Sequence, residues 1–280
     1  MSTKIEWCDE VWNPVTGCTK VSAGCKNCYA ERMAKRLGGR FGYPPAPDQF
    51  QVTLHPELLD KPARWRKPRR VFVNSMSDLF HPDVPDEFIW RIFETMTRGN
   101  RRHTYMILTK RPERMLSWFN NFQERFWHYH APDEPQREFV SALWPDPCLW
   151  LGVSVEDQKS ANERLPILAQ IPAAKRFVSC EPLLGPVDLA EWISPCACGC
   201  DGHGSIDWVI VGGESGPWAR PMDLEWAESI VIQCQDVGIP VFVKQLGGYP
   251  DKRNRMEEWP EELRVRQWTE YPTSPMKTEE

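Results

Sequence analysis

Residues 149–155 read LWLGVSV, a run in which only Ser154 carries a polar side chain. An apolar, partly β-branched run of this length, followed at once by polar residues, is typical of a strand buried on both faces, as in a parallel sheet. The chain contains further runs of the same kind, at 71–74, 105–109, 176–180, 208–211 and 241–244. We therefore predict six strands that share one parallel sheet.

Segments with helical character alternate with these runs. They span 86–97, 112–126, 162–170 and 224–236. The result is a repeated βα pattern of six units, with room for an earlier strand before Cys18. We predict an α/β fold, either a (β/α) barrel or partial TIM-type barrel with an N-terminal Cys-rich cluster-binding loop, or else an open doubly wound sheet.

The chain of 280 residues is long enough for one large domain or two small ones. We predict a single α/β barrel domain over 1–248, interrupted by insertions at about 128–147 and 194–205. Residues 249–280 are predicted to form a charged C-terminal extension whose last residues, PTSPMKTEE, are disordered.

Composition places the chain among ordinary globular proteins, with 41% hydrophobic and 26% charged residues. No apolar run approaches the ~18 residues of a membrane span, and the N-terminus lacks an apolar signal-peptide core. We expect no membrane partner and a cytoplasmic location. The net charge of −5 argues against a surface coated for nucleic acid. Two basic stretches, KPARWRKPRR at 61–70 and RGNRR at 98–102, nevertheless provide candidate phosphate contacts.

Polar side chains follow nearly every predicted strand. Ligands bind at the carboxyl ends of parallel strands, so we expect these side chains to converge on one site. In chain order the candidates are Asn74, Ser75, Ser77, Asp78, His81, Thr109, Lys110, Arg111, Ser154, Glu156, Asp157, Gln158, Glu181, Glu214, Ser215, Arg220, Lys244 and Gln245.

Residues 17–32, GCTKVSAGCKNCYAER, hold Cys18, Cys25 and Cys28 in the spacing Cys-x6-Cys-x2-Cys. In a reducing compartment such a group typically binds metal. Three thiolates without a fourth at matching spacing indicate a 4Fe–4S cluster with one open iron. A structural zinc completed by Cys8 or a distant cysteine, and three cysteines without metal, are the alternatives. The segment 29–37 is predicted to be a helix, whose N-terminus favours bound negative charge.

A second group of soft ligands occurs in PCACGCDGH, residues 195–203. It contains Cys196, Cys198, Cys200 and His203. The spacing is compatible with a small zinc site, with an auxiliary iron–sulfur cluster, or with an exposed loop that binds no metal.

An open-iron cluster on an N-terminal loop, followed by a βα barrel, resembles the radical S-adenosylmethionine (SAM) superfamily. The usual spacing there is x3 then x2, and the residue before the last cysteine, here Asn27, is usually aromatic. The chain resembles more closely an uncharacterised family of bacteriophage and prophage proteins sometimes called three-Cys-motif proteins. The ordered motifs that carry this resemblance are IEWCDEVWNPVTGC, CKNCYAERMA, MSDLFH, LTKRPER, WLGVSVEDQ, EPLLGP, IVGGESGP and VKQLG.

The resemblance implies that Cys18, Cys25 and Cys28 hold a 4Fe–4S cluster whose fourth iron binds SAM. An electron donor such as flavodoxin or ferredoxin would reduce the cluster, and a 5′-deoxyadenosyl radical would then abstract hydrogen from a substrate. By position, the SAM amino group is assigned to Ser75, Ser77 and Asp78, its carboxylate to Lys110, and its ribose hydroxyls to Ser154 and Glu156. The residues left for substrate and catalysis are Glu181, Glu214, Arg220 and Lys244.

Three functions follow from these observations. The first is a radical SAM enzyme, encoded by a phage, that acts on a nucleic acid, a nucleotide or a modified base. The second is a radical SAM enzyme that acts on a small molecule or peptide. The third is a non-catalytic, zinc-binding phage accessory protein.

Overall fold

A computed structural model describes residues 5–97, 100–130, 145–194, 206–248 and 255–269, with only the backbone described at 122–130. Its strands are β1 (Glu10–Trp12), β2 (Val15–Thr16), β3 (Thr53–Leu54), β4 (Arg70–Val73), β5 (Thr104–Thr109), β6 (Leu149–Ser154), β7 (Lys175–Cys180), β8 (Trp208–Gly212) and β9 (Val241–Gln245). Its α-helices are α1 (Tyr29–Leu37), α2 (Asp86–Thr97), α3 (Pro112–His130), α4 (Gln158–Ala169), α5 (Ala190–Ile193) and α6 (Leu224–Val237).

The main sheet has seven strands in the order β1-β4-β5-β6-β7-β8-β9, and every neighbouring pair is parallel. This order follows the chain without a reversal. Crossovers between parallel strands are right-handed, so an order without reversal keeps the connecting helices on one face. The doubly wound alternative, which requires a reversal, is therefore wrong. The fold is α/β with a half-barrel sheet, which agrees with the predicted partial barrel.

Two separate apolar clusters cover the two faces of the sheet. The larger one packs the sheet against the helices. The smaller one lines the other face with large rings, including Trp150, Phe177, Trp208 and Phe242. A Cβ at Gly152 would lie 2.7 Å from the ring of Phe177, so this glycine makes room for the aromatic layer. Each such buried ring contributes about 1.5–3 kcal/mol of transfer free energy.

The predicted element boundaries agree closely with the structure. Helices α1 and α2 have the predicted bounds, while α3 runs on to His130, into the start of the first predicted insertion. Helix α4 begins at Gln158, four residues earlier than predicted, because Asp157 caps it. The Asp157 side chain accepts from Ser160 N at 2.8 Å, and Ser160 Oγ accepts from Asp157 N at 3.0 Å.

The segment 255–269 packs along the edge strand β9. Val243 N donates to the Val265 carbonyl at 2.8 Å, and Gln267 N donates to the Val241 carbonyl at 2.9 Å. Trp259 is buried in the larger apolar cluster. Most of the two predicted insertions (131–144 and 195–205) and the final segment 270–280 lie outside the described residues. Within the described ranges, no helix combines the length and apolar character that crossing a membrane requires.

Candidate functional site

The loop with the three cysteines, residues 17–28, begins at the carboxyl end of the sheet. Gly17 pairs with Ser77, which follows β4, and Gly17 N donates to the Met76 carbonyl at 3.0 Å. Gly17 has a φ of +83°, and a Cβ there would lie 2.1 Å from the Gln51 carbonyl oxygen. Only glycine fits such a turn. The loop is therefore fixed at its first residue to the edge where the predicted strand-end residues lie.

Cys18 is connected to the carboxylate of Asp78 through Arg111. Arg111 Nη1 lies 2.9 Å from Asp78 Oδ2 and 3.5 Å from Cys18 Sγ. Asp78 is buried and also accepts from Thr109 Oγ1 at 2.7 Å. Burial, with a smaller contribution from Asp78, raises the pKa of the Cys18 thiol to about 11, although Arg111 acts in the opposite direction. A bound cation would therefore be needed to hold Cys18 as a thiolate at neutral pH.

The same Arg111 also orders the residue that follows Cys18. Its Nη2 donates to Thr19 Oγ1 at 3.0 Å, and Thr19 Oγ1 lies 2.7 Å from His81 Nε2. Because His81 Nδ1 accepts from Asp83 N at 3.1 Å, we assign the ring proton to Nε2, which donates to Thr19. Burial and then Arg111 lower the pKa of His81, consistent with a neutral ring. His81 thus supports the loop as a neutral hydrogen-bond donor.

Cys25 is connected to a second strand-end carboxylate, Glu156, through Ser22. Ser22 Oγ donates to Glu156 Oε1 at 2.9 Å and lies 3.8 Å from Cys25 Sγ. Glu156 is 1% exposed and is paired with the Lys110 ammonium and, at 3.0 Å, with Arg164 Nη1. Burial opposes ionisation of Glu156, but the two cations outweigh it and lower its pKa below the usual value. Glu156 is therefore ionised at neutral pH.

Next to Cys28, Asn27 contacts a third strand-end carboxylate. Asn27 Nδ2 donates to Glu214 Oε2 and to the Trp218 carbonyl, both at 2.8 Å. Arg220 binds Glu214 with two side-chain nitrogens, at 2.6 and 3.0 Å, and reaches the Ala23 carbonyl at 2.9 Å. Burial raises the pKa of Glu214, but the hydrogen bonds from Arg220 and Asn27 lower it further than burial raises it. The loop is thus anchored near each of its three cysteines.

The predicted catalytic residues divide into two groups. Lys244 Nζ donates to Glu181 Oε1 at 2.6 Å, so these two form a pair across the ends of β7 and β9. Gln245 Nε2 donates to the same oxygen at 3.1 Å. Glu214 lies instead in the Arg220 pair under the cysteine loop. The structure therefore brings Glu181 and Lys244 together and assigns Glu214 to the support of the loop.

Several side chains predicted to contact SAM make hydrogen bonds inside the protein. Ser75 Oγ donates to Asn13 Oδ1 at 3.1 Å, and Ser77 Oγ donates to the Val15 carbonyl at 2.8 Å. The bonds of Ser75 and Ser77 hold the entrance to the cysteine loop. At Ser154 the backbone carbonyl accepts from Arg164 Nη1 at 2.7 Å. Of the predicted SAM-binding side chains, Lys110 and Glu156 stand together directly beneath it.

The donor set of the loop is compatible with an iron–sulfur cluster. Cys18, Cys25 and Cys28 are all partly exposed free thiols on one loop. Within the part of the chain that the structure describes, no three Cys, His, Asp or Glu side chains stand close enough to bind one metal ion. In a 4Fe–4S cluster each cysteine thiolate bonds a different iron, so three cysteines on one loop can serve as its ligands. Cys8 precedes β1 and is buried at the opposite end of the sheet, away from the loop.

The second predicted metal site falls outside the described residues. This applies to each of its four ligands, Cys196, Cys198, Cys200 and His203.

Sequence reasoning missed the residues that connect the loop to the strand ends. Asn27 stands out in the sequence only as the replacement of an aromatic residue, and Arg164 lies within a helix. No local pattern indicates their partners. The basic stretch 61–70 and the described part of the second stretch, 100–102, precede β4 and β5, which start in register at Arg70 and Thr104. They therefore lie at the amino end of the sheet, opposite the cysteine loop.

Comparison with known proteins identifies a family but no activity. No curated protein and no solved structure matches the chain. One family model, described as "Protein of unknown function (DUF5131)", matches residues 2–272. Since that match covers nearly the whole chain, the protein belongs to the DUF5131 family.

Proposed function

We propose that this protein is an iron–sulfur enzyme of the radical SAM type, in which Cys18, Cys25 and Cys28 hold a 4Fe–4S cluster. The observation that carries the proposal is the anchoring of one three-cysteine loop to three buried carboxylates, Asp78, Glu156 and Glu214, at the carboxyl end of a half-barrel sheet. This is the edge at which barrel enzymes place their chemistry. A loop held at so many points keeps its thiols in fixed positions for a cluster.

When bound, the cluster and SAM supply a 5′-deoxyadenosyl radical after one-electron reduction by a donor such as flavodoxin or ferredoxin, and this chemistry belongs to the cofactors. The contribution of the protein is position and charge. Arg111 lies 3.5 Å from Cys18 Sγ and stabilises negative charge on that sulfur. Asp78 positions Arg111, so we now assign Asp78 to support of the loop instead of to the SAM amino group.

The pair formed by Lys110 and Glu156 is the proposed contact for SAM. Lys110 would bind the carboxylate of SAM, and Glu156 would accept from its ribose hydroxyls. Lys110 is 19% exposed at its side chain, whereas Glu156 is 2% exposed, so the ammonium is the member that can turn towards a ligand. Arg164 stays with Glu156 and keeps that carboxylate ionised during such a turn.

The proposed substrate is a nucleic acid, a nucleotide or a modified base, and the proposed origin is a phage or prophage. The ordered motif series supports the origin. The Glu181–Lys244 pair is left for substrate, because it lies at the same edge of the sheet and no hydrogen bond joins it to the cysteine loop among the described residues. A carboxylate and an ammonium in contact can accept and donate to polar groups of a substrate.

Anaerobic reconstitution with iron and sulfide tests the proposal. We expect a brown protein that forms 5′-deoxyadenosine from SAM in the presence of dithionite. Cys18→Ser, Cys25→Ser and Cys28→Ser should each lose bound iron and the product. Cys234→Ala is the matched control, because Cys234 is buried in α6 and should keep both.

Two results would overturn the proposal. A colourless protein that binds zinc in place of iron would favour the accessory-protein hypothesis. A fully loaded cluster that yields no 5′-deoxyadenosine would exclude radical SAM chemistry and leave only an iron–sulfur protein.

A further inference from the structure

Exposed aromatic rings are concentrated around the cysteine loop and α1. Large hydrophobic side chains that are exposed in the described residues include Tyr29 at 57%, Phe41 at 83% and Trp218 at 82%. Tyr29 begins α1, and Asn27 binds the backbone of Trp218. Solvent-exposed rings of this size are costly unless they meet a partner, so their grouping indicates a binding surface.

The same region carries a positive charge that is opposite to that of the whole protein. Residues 17–43 contain six basic residues and one acidic residue, a local charge of +5, in a chain whose net charge is −5. The single acid, Glu31, is paired with Lys20 and Lys35. Arg36 and Arg40, which lie in the same stretch, are exposed. A local excess of this kind attracts a polyanion in spite of the negative total.

A cleft of about 210 Å³ lies between α1 and the segment 215–217, and Tyr29, Arg32 and Arg36 line it. Arg32 Nη2 donates to the Ser215 carbonyl at 3.0 Å. Its Nη1 is buried and has no hydrogen-bond partner among the described residues. A Cβ at Gly216 would lie 1.9 Å from this nitrogen, so only glycine lets the guanidinium fit beneath the segment. Arg32 is therefore held beneath the segment and adds positive charge to the cleft, while the exposed guanidinium of Arg36 is the donor that can reach a phosphate oxygen.

We propose that Tyr29, Arg32, Arg36 and Trp218 form a binding surface for single-stranded nucleic acid. Arg36 would bind a phosphate, Arg32 would add positive charge to the cleft, and the two rings would stack on bases. Basic residues interleaved with exposed aromatic rings are what single-strand binding requires, since every base presents a face for stacking. In a duplex those faces are covered by neighbouring bases, so the rings favour an unpaired strand.

The position of this surface connects it to the cysteine loop. Asn27 lies between Cys25 and Cys28, and it holds the Trp218 carbonyl at 2.8 Å. A strand bound across Tyr29 and Trp218 is therefore presented next to the loop. The inference that a substrate strand docks here rests on the proposed function. The inference that this surface binds single-stranded nucleic acid does not depend on that function.

Fluorescence anisotropy with the full chain and a short labelled oligonucleotide of mixed sequence tests the inference. We expect single-stranded DNA or RNA to bind more tightly than a duplex of the same sequence. Tyr29→Ala and Trp218→Ala should each weaken binding by about 5- to 100-fold. Arg36→Ala should reduce the slope of log affinity against log salt by about 0.7 for each lost phosphate contact.

Matched controls keep this test specific. Trp268→Ala removes another exposed ring, which packs on Phe242, and Lys159→Ala removes an exposed charge on α4. Both should bind as the unchanged protein does. Equal affinity for duplex, full competition by an acidic peptide, or surface variants that behave like the controls would each overturn the inference.

The outcome is separable from that of the proposed enzyme. Oligonucleotide binding without 5′-deoxyadenosine formation would support the proposed binding surface and contradict the proposed enzyme activity. Formation of 5′-deoxyadenosine by a protein that binds no oligonucleotide would support the enzyme activity and contradict the binding surface.

Discussion

Ser22 Oγ donates a hydrogen bond of 2.9 Å to Glu156 Oε1, and this bond joins the cysteine loop to a carboxylate that is 134 residues away in the chain. Ser22 also lies 3.8 Å from Cys25 Sγ. A single small side chain therefore contacts both a predicted cluster ligand and a buried charge. Glu156 is in turn fixed by Lys110 and Arg164, so the position of the loop depends on a rigid part of the sheet edge.

Gly24→Ala should disturb this contact directly. A Cβ at Gly24 would lie 2.6 Å from Glu156 Oε1, and the two cations prevent the carboxylate from moving away. We expect a loss of about 1–3 kcal/mol in the free energy of unfolding, as for other overpacked sites. Iron retained per chain after reconstitution should fall as well. Chemical denaturation and iron analysis measure the two effects.

Gly185→Ala is the control for that substitution. Its added Cβ would meet only Asp157 Cβ, at 3.4 Å, which is an ordinary contact. It should keep both stability and iron within error of the unchanged protein. Equal iron retention in the two variants would show that the Gly24–Glu156 approach does not position the loop.

The strands and the strand-end carboxylates that form this site could be predicted from the sequence. Short apolar runs such as 149–155, with β-branched residues and polar residues after them, are typical of strands buried on both faces, so they locate the sheet. Once the strands are parallel, their carboxyl ends must share one edge, and convergence of Asp78, Glu156 and Glu214 follows from topology alone.

The partners of those carboxylates could not be predicted, for a physical reason. Asn27 and Glu214 are 187 residues apart, and Arg111 and Cys18 are 93 residues apart. Neither pair belongs to a repeating pattern, because such contacts depend on how a loop crosses the finished sheet. The position of the basic stretch 61–70 could not be predicted either, since its charge is evident in sequence but its location at the amino end of β4 is not.

The stability of the protein should depend on the ionisation of Glu156. Its folded pKa lies below the usual 4.5, so its contribution is complete above that value and is lost as the pH falls through the folded pKa. Glu156→Gln removes the charge that faces Lys110 and Arg164 and should cost about 3–5 kcal/mol at neutral pH. The difference between the two proteins should shrink below pH 4.5.

Unfolding curves across acidic pH measure that difference. Glu163→Gln is a suitable control, because Glu163 lies on the same helix as Arg164 but is 55% exposed at its side chain. A Glu156→Gln deficit that stays constant across acidic pH would contradict the assigned ionisation.

The ion pair between Arg111 and Asp78 should show strong energetic coupling. Its side chains are only 10% and 8% exposed, so removal of either one leaves a buried charge unpaired. We expect Arg111→Met to cost about 3–5 kcal/mol and the double variant with Asp78→Asn to recover part of that loss. The pair of Arg114 and Asp86, whose side chains are 29% and 25% exposed, provides the control cycle, with an expected coupling of about 1 kcal/mol or less.

Arg220 should hold the middle of the cysteine loop in place. It binds the buried Glu214 with two nitrogens and donates to the Ala23 carbonyl at 2.9 Å. That carbonyl also accepts from Lys26 N at 3.2 Å, so the Lys26 amide reports on the order of the loop. Arg220→Ala should accelerate hydrogen exchange there by about 10- to 100-fold, the equivalent of losing a charged hydrogen bond.

Two further variants decide whether geometry or charge is responsible for that order. Lysine keeps the charge but lacks the paired donors of a guanidinium, so Arg220→Lys should restore only part of the protection. Arg255→Ala removes an exposed arginine from a surface pair with Glu258 and should leave the exchange of Lys26 unchanged. Full protection in Arg220→Lys would mean that charge alone holds the loop. Unchanged exchange in Arg220→Ala would mean that Ser22, Asn27 and Arg111 suffice to anchor it.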